Sequence, residues 1–367
     1  MFKSFKYRIY PNKAQRELFS KTFGCCRFVY NKTLEYKKTK YEEEKVSLSY
    51  FDCITYCNRV LKKDYVWLKE VDSRALNYAI KNMDDAYKKF FKLHTGYPRF
   101  KSKGENYKSY TTAISSKKNI VDFEHNTITL PKVGKVRAKV MKSFEGKAKS
   151  ATVSLTPSGK YFVSVLVETE HISLPKKNRK VAISFGLDNL VSMSSGKVYK
   201  NVKAYAKYEK KLVKLQRRLS RKQNGSKNYE KQRIKLARCH ERIANVRSDA
   251  LHKISYRIVR NNQVIYVDMP NVKEMIRKYP EKAKQLADAS WYTLYKQFIY
   301  KTGWNHRSLI QTSEQEALYG KCSVCGNIES DVDRFSAVWI CGQCGTEHDT
   351  GINFARNILR ENIEQVE

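Results

Sequence analysis

The chain has 367 residues, with 72 lysines and arginines against 36 aspartates and glutamates, for a formal net charge of +36. That length admits two or three domains with proper cores, and the charge excess points to a polyanionic partner, nucleic acid first. A membrane surface would call for a short basic amphipathic helix or a lipid anchor; neither is present, and no stretch approaches a membrane span. The opening MFKSFKYRIYPN has no apolar run, so no secretory leader is expected. Nine cysteines in such a chain then imply a reducing compartment.

In chain order, Phe5, Tyr7 and Ile9 alternate with Lys6 and Arg8, which predicts a strand over residues 1–10 that Pro11-Asn12 ends. Residues 12–93 read as a helical bundle, with Leu76, Ile80, Met83 and Tyr87 recurring at three and four. From about 95 the period becomes two. Thr127, Thr129, Val136, Ala138 and Val140 mark short strands, and residues 152–170 form a hairpin about Pro157-Ser158-Gly159. Residues 181–200 predict a second hairpin. Residues 203–238 carry fourteen lysines or arginines and two acids. They open an αα-hairpin broken at Gln223–Ser226, with Leu212, Leu215 and Leu219 facing Leu236, Cys239, Ile243 and Val246. QVIYVD (263–268) is a buried strand, a helical stretch runs to about 304, and a short helix starts at 353.

Cys322-Ser-Val-Cys325 and Cys341-Gly-Gln-Cys344 lie fifteen residues apart, each followed by a glycine. A two-residue gap lets both thiolates of a knuckle reach one tetrahedral ion, so the pattern predicts a structural zinc site with no open position. His348 is expected to be a surface or core histidine and no fifth ligand. Cys25, Cys26, Cys53, Cys57 and Cys239 are expected as small buried hydrophobes.

GCCRFVYN (24–31), YPRFKSK (97–103), residues 225–255, DMPNVKEM (268–275), CSVCG (322–326) and INFARNIL (352–359) together resemble TnpB. TnpB, the transposon-encoded OrfB protein, is an RNA-guided DNA nuclease related to Cas12. The resemblance implies an α/β multidomain protein. Its parts would be a wedge β-barrel (1–10 and 95–178), a helical recognition lobe (11–94) and a RuvC domain of RNase H-like fold (179–310, with the basic hairpin at 203–258). A zinc module (311–350) and a last RuvC helix (351–367) would follow. It implies a guide RNA with a structured scaffold and a double-stranded DNA target as partners, no membrane, and a bacterial cytoplasmic location at the nucleoid. Guide pairing would read sequence, and the protein would read shape and a flanking motif.

The resemblance also implies three acids holding two divalent ions. Aligned by their neighbours, the three positions are Ser184, Asp268 and Gly351. With two acids missing, the expectation is a degenerate nuclease centre without catalytic Mg²⁺, hence no enzyme, and a guided repressor that occupies a promoter. That pattern resembles the nuclease-dead TnpB-like repressors. The alternatives are a nuclease that uses Asp268 with Asp188 or Asp349, and an unguided nucleic-acid-binding accessory factor for transposition.

Candidates for the flanking motif are Arg74 and Asn77, whose geometries suit guanine and adenine, Lys81 for phosphate, and Tyr56 for stacking. Tyr97, Arg99, Phe100, Lys101 and Lys103 are expected on RNA or heteroduplex backbone, and Arg217, Arg218, Arg221 and Lys222 on phosphates. A solvated surface is the plain alternative for each one singly.

Overall fold

The structure, a computed structural model, describes residues 1–104, 108–114, 120–170, 174–312 and 316–364. Glu105–Tyr107, within the basic and aromatic stretch after Tyr97, lie outside the described residues. Two units divide the chain, Met1–Glu170 and His171–Glu367.

In the first unit, β1 (Phe2–Tyr10) buries Tyr7 and Ile9 on one face, as the alternation requires. Asn12 then opens α1 (Lys13–Glu44) with a capping box closed by Gln15. Ser49 and Asp52 do the same for α2 (Tyr50–Tyr56), which continues through a π-type turn at Cys57–Leu61 into α3 (Lys62–Asp64). α4 (Ser73–Leu93) buries Leu76, Ile80, Met83 and Tyr87, the face its periodicity predicts.

The strands that follow are β2 (Lys108–Ala113), β3 (Val121–Asp122), β4 (Thr127–Leu130), β5 (Gly134–Lys139), β6 (Lys147–Leu155) and β7 (Tyr161–Glu168). They form one antiparallel sheet in the order β2-β6-β7-β1-β5-β4-β3. β1 sits inside it, paired with β7 and β5, so the helices between residues 13 and 93 are an excursion from the sheet. Among the described residues the sheet has two edges, β2 and β3, where the resemblance implies a barrel. One core joins Phe19, Phe23 and Val29 of α1 to Tyr110, Val153 and Val163 of the sheet. Cys25, Cys26, Cys53 and Cys57 are buried in that core, as expected of small hydrophobes.

The second unit is built on β8 (Lys180–Phe185), β9 (Asn189–Met193), β10 (Val198–Lys200), β11 (Val264–Asp268) and β12 (Ser308–Thr312), in the order β10-β9-β8-β11-β12. β8 to β10 run antiparallel, whereas β8, β11 and β12 are parallel. Parallel neighbours need crossovers. The first contains α5 (Ala204–Ser220) and α6 (Lys227–Asn261), and the second contains α7 (Val272–Lys278), α8 (Ala283–Ala289) and α9 (Trp291–Trp304). The break between α5 and α6 falls at the predicted Gln223–Ser226, and the seam holds Leu212, Leu215, Leu236, Cys239, Ile243 and Val246.

β13 (Val338–Ile340), β14 (Glu347–Asp349) and α10 (Thr350–Glu364) complete the unit. β8 is covered on both faces. Val181, Ile183 and Phe185 meet Leu251, Ile258, Trp291 and Phe298, while Ala182 meets Phe354, Ala355 and Ile358 of α10. By strand alternation Ser184 shares the α10 face with Ala182. The last helix begins at Thr350 instead of the expected 353, because Asp349 Oδ1 accepts the Ile352 N–H at 2.9 Å and caps it early. Gly351 therefore lies in its first turn. No helix among the described residues is long and apolar enough to cross a membrane.

Candidate metal and nucleic-acid sites

The sulfurs of Cys322, Cys325, Cys341 and Cys344 lie within 4.8 Å of one another. Cys325 and Cys341 are 3.6 Å apart, and Cys322 and Cys344 are 3.7 Å apart. Four thiolates at about 2.3 Å from one tetrahedral zinc would stand about 3.8 Å apart, so the donor set fits that ion. Each knuckle closes on a glycine of positive φ, Gly326 (83°) and Gly345 (67°), whose N–H donates to the carbonyl of the first cysteine. Hydrogen bonds from Thr346 hold the Cys344 thiol down at about 6, and the Cys344 N–H lowers Cys341. When bound, zinc would cross-link the two knuckles.

His348 is buried, with Nε2 3.1 Å from Cys322 Sγ and its ring 4.6 Å from that of Trp339. It supports a ligand from behind; burial, then Arg356, lowers its basicity. The module is bolted to α10 by two buried asparagines one turn apart. Asn353 accepts from Ser323 N and donates to Lys321 O at 2.8 Å, and Asn357 donates to Leu318 O and Lys321 O. Sequence reasoning passed over both. Their signal was an i, i+4 pair of buried-type asparagines on an otherwise apolar helix face.

The structure brings Ser184, Asp268 and Gly351 together. In the β8–β11 register Ile183 pairs with Val267, so Ser184 and Asp268 follow side by side. Ser184 also pairs with Ser192 of β9, and a side chain at Gly351 would start 2.7 Å from Ser192 Oγ. Asp268 is 1% exposed, and the Arg334 guanidinium donates to its Oδ2 at 2.8 Å. Burial pushes the Asp268 carboxyl up and Arg334 opposes it. Asp349 stands next to Gly351, its Oδ1 3.4 Å from where a Cβ would be, and its Oδ2 accepts from Asn189 at 3.1 Å. Asp188 is exposed and paired with Lys203.

Ser184 and Gly351 carry no carboxylate, and those of Asp268 and Asp349 are engaged. Among the described residues the four cysteines are the one group of three or more such ligands gathered at metal distance. Sequence reasoning missed Arg334 and Ser192, because only the folded sheet and the four-cysteine module bring them here.

The nucleic-acid candidates are scattered over the two units. Arg74 is exposed, but its Nη1 donates to Ala113 O at 3.2 Å, and Asn77 Oδ1 is buried with no hydrogen-bond partner among the described residues. Lys81 is exposed, 5.8 Å from the Tyr78 ring. Tyr56 is stacked on Tyr36 at 3.9 Å, so one of its faces is taken. Tyr97 shares a hydroxyl bond with Tyr87, and Lys101 lies over the Tyr30 ring at 4.1 Å while Asn31 grips its backbone. Arg99, Phe100 and Lys103 are exposed, as are Arg217, Arg218, Arg221 and Lys222 at the end of α5.

Three family models match in chain order. They are a helix-turn-helix domain (residues 1–45), the OrfB_IS605 model described as a probable transposase (163–278), and the TNB domain of Cas12f1-like proteins (291–358). Residues 2–44 are in fact a strand and one unbroken helix. A Streptomyces pristinaespiralis protein named "Putative RNA-guided DNA endonuclease" is 33% identical over 97% of this chain and 88% of its own length. An Escherichia coli relative with the same name and the suffix InsQ is 29% identical over 97% of this chain and 91% of its own. A solved mini-RNA-guided endonuclease, CRISPR-Cas_phi3, aligns over 98% of this chain and 92% of its own at 10% identity and a TM-score of 0.47, too distant to carry an argument.

These relatives overturn the expectation that the chain is no enzyme, since they are named as endonucleases. The physical weakness of that expectation was to judge three positions along the sequence. Carboxylates reach a site through space, and Asp349 stands beside Gly351. With 33% identity to a relative across nearly its whole length, the chain belongs to the OrfB_IS605 (TnpB) family.

Proposed function

We propose that this chain binds a guide RNA and, through it, a duplex DNA target beside a short flanking motif, and that occupancy of a promoter lowers its transcription. The observation that carries the guided-binding part of the reading is the whole-length relationship to proteins named RNA-guided DNA endonucleases. The net charge of +36 and the exposed basic end of α5 support it. In this reading residues 1–10 and 95–178 form the wedge, 11–94 the recognition lobe and 179–310 the RuvC-like domain. Zinc ties residues 311–350 together, and 351–367 close the domain. Arg74, Asn77 and Lys81 meet the flanking motif, and the basic side chains at 97–103 and 217–222 hold phosphates.

A second reading, guided cleavage of the same target, is favoured by the relatives' names. One experiment separates the outcomes. The protein is purified from its host, its RNA is sequenced, and a duplex matching the guide is offered with and without Mg²⁺. A dominant RNA with a constant scaffold and a short segment matching a promoter supports the proposal. A linear product in Mg²⁺ selects the second reading, and heterogeneous RNA with binding indifferent to guide sequence removes both. Changing Arg217, Arg218, Arg221 and Lys222 to alanine together should flatten the salt dependence of RNA binding by about 0.7 log units per lost contact.

A further inference from the structure

Asp268 ends a buried strand, and its carboxylate needs a positive partner to remain ionised there. That partner comes from the zinc module, 66 residues further on. The Arg334 side chain is 9% exposed and that of Asp268 is 2% exposed, so water contributes little to either charge. The guanidinium is held from more than one side. Its Cζ lies 4.8 Å from the centre of the Tyr319 ring, which stacks on Phe354 of α10 at 3.8 Å. Its loop is pinned as well, because Asp333 Oδ1 accepts from Phe335 N and Ser336 N, and Lys282 sits over the Phe335 ring at 3.7 Å. Arg334 is thus a built part of the site.

We propose that Arg334 is the resident cation of this site: its guanidinium neutralises Asp268 and excludes divalent cations from that carboxylate while it stays in place. The proposal takes only its choice of a divalent probe from the nuclease-type reading of the domain, so guide binding and this inference can fail separately.

Among the described residues Asp268 Oδ1 accepts no hydrogen bond and is buried, so the carboxylate's one ionic contact is the guanidinium on Oδ2. A cavity of about 470 Å³ opens beside Arg334, and its wall carries Glu274, Glu329 and Asp333. A displaced guanidinium therefore has space and alternative carboxylates within its own neighbourhood. Cation selectivity at Asp268 is in this way a property of Arg334: a single, delocalised charge with a planar fork, set where a hard dication would need more oxygens than remain.

The test uses the full, zinc-loaded chain freed of nucleic acid, and Mn²⁺ as probe. Free Mn²⁺ is followed by electron paramagnetic resonance during titration of the parent, Arg334→Gln, Arg334→Lys, and Arg334→Gln combined with Asp268→Asn. Arg334→Gln should bind one Mn²⁺ at least about tenfold more tightly than the parent, and Asp268→Asn should erase that gain. Arg334→Lys keeps the charge without the fork and should fall between parent and Arg334→Gln, which preserves the test if the glutamine variant fails to fold. Equal binding by parent and the folded Arg334 variants overturns the proposal. So does a gain that survives Asp268→Asn, because the ion is then held elsewhere. RNA content, measured on the same preparations before stripping, reports on the guide-binding reading independently.

Discussion

The cysteine cluster and the Asp268 site lie in the same unit and handle charge in opposite ways. The cluster gathers four cysteine sulfurs within 4.8 Å, a donor set that a dication would hold together. The Asp268 site has one buried carboxylate already neutralised by Arg334. The first is assembled from two turns of near-identical geometry, whereas the second is assembled from three strands, a helix and a loop brought in from the four-cysteine module. A site made of local turns keeps its chemistry wherever the fold carries it. A site made of distant pieces depends on what each piece contributes, and here one contributes a cation.

The comparison can be broken most forcefully at the cysteines. Cys322→Ser, or stripping with a strong chelator, should forfeit about 10 kcal/mol of apparent metal-binding free energy at neutral pH. Zinc release and loss of protease resistance across residues 316–364 measure it. An unchanged cleavage pattern would mean that Asn353 and Asn357 hold the module without metal.

At the other site, Arg334→Ala should cost about 3–5 kcal/mol in urea unfolding, because it strands a buried carboxylate. Pairing Arg334→Met with Asp268→Asn should recover most of that loss. A double variant as unstable as the single would place the cost in packing instead of charge.

A finer probe concerns Gly351. An added Cβ would lie 2.7 Å from Ser192 Oγ and 2.9 Å from Ser192 Cβ, so Gly351→Ala should destabilise by about 1–3 kcal/mol. Ser192→Gly should relieve part of it, as thermal unfolding of the pair will show.

The smallest expected effect is a pH dependence. Burial lowers Lys301 to about 8, where its ammonium donates to Ser255 Oγ at 2.6 Å. The folded state therefore binds fewer protons than the unfolded state between about pH 8 and the ordinary lysine range. The penalty of burying the charge is full below pH 8 and is relieved as pH rises. The melting temperature of the parent should gain on that of Lys301→Met from pH 8 to 10. A constant gap would show that Lys301 stays charged when folded.

Much of this architecture was legible in the residues. Alternation about Tyr7 and Ile9, the Gln223–Ser226 break, the hairpin at Ser184 and the cysteine spacing each report a local rule of backbone or ligand geometry. The start of the last helix was read three residues late, because the Asp349 cap acts through a side chain outside the apolar pattern. The placement of β1 inside a sheet made of residues beyond 108 was implied only by resemblance, since pairing partners far apart in sequence leave no periodic mark.

The sequence by itself determined the four-cysteine cluster, the basic character and the elements, because periodicity, capping and two-residue knuckles act over a few residues. Only the tertiary structure decided that Ser184, Asp268 and Gly351 converge, that Ser192 fills the space a side chain at 351 would need, and that Arg334 neutralises Asp268. Those facts depend on strand register and on a loop folding back across 66 residues, and long-range contacts of that kind are fixed by packing and charge burial in three dimensions.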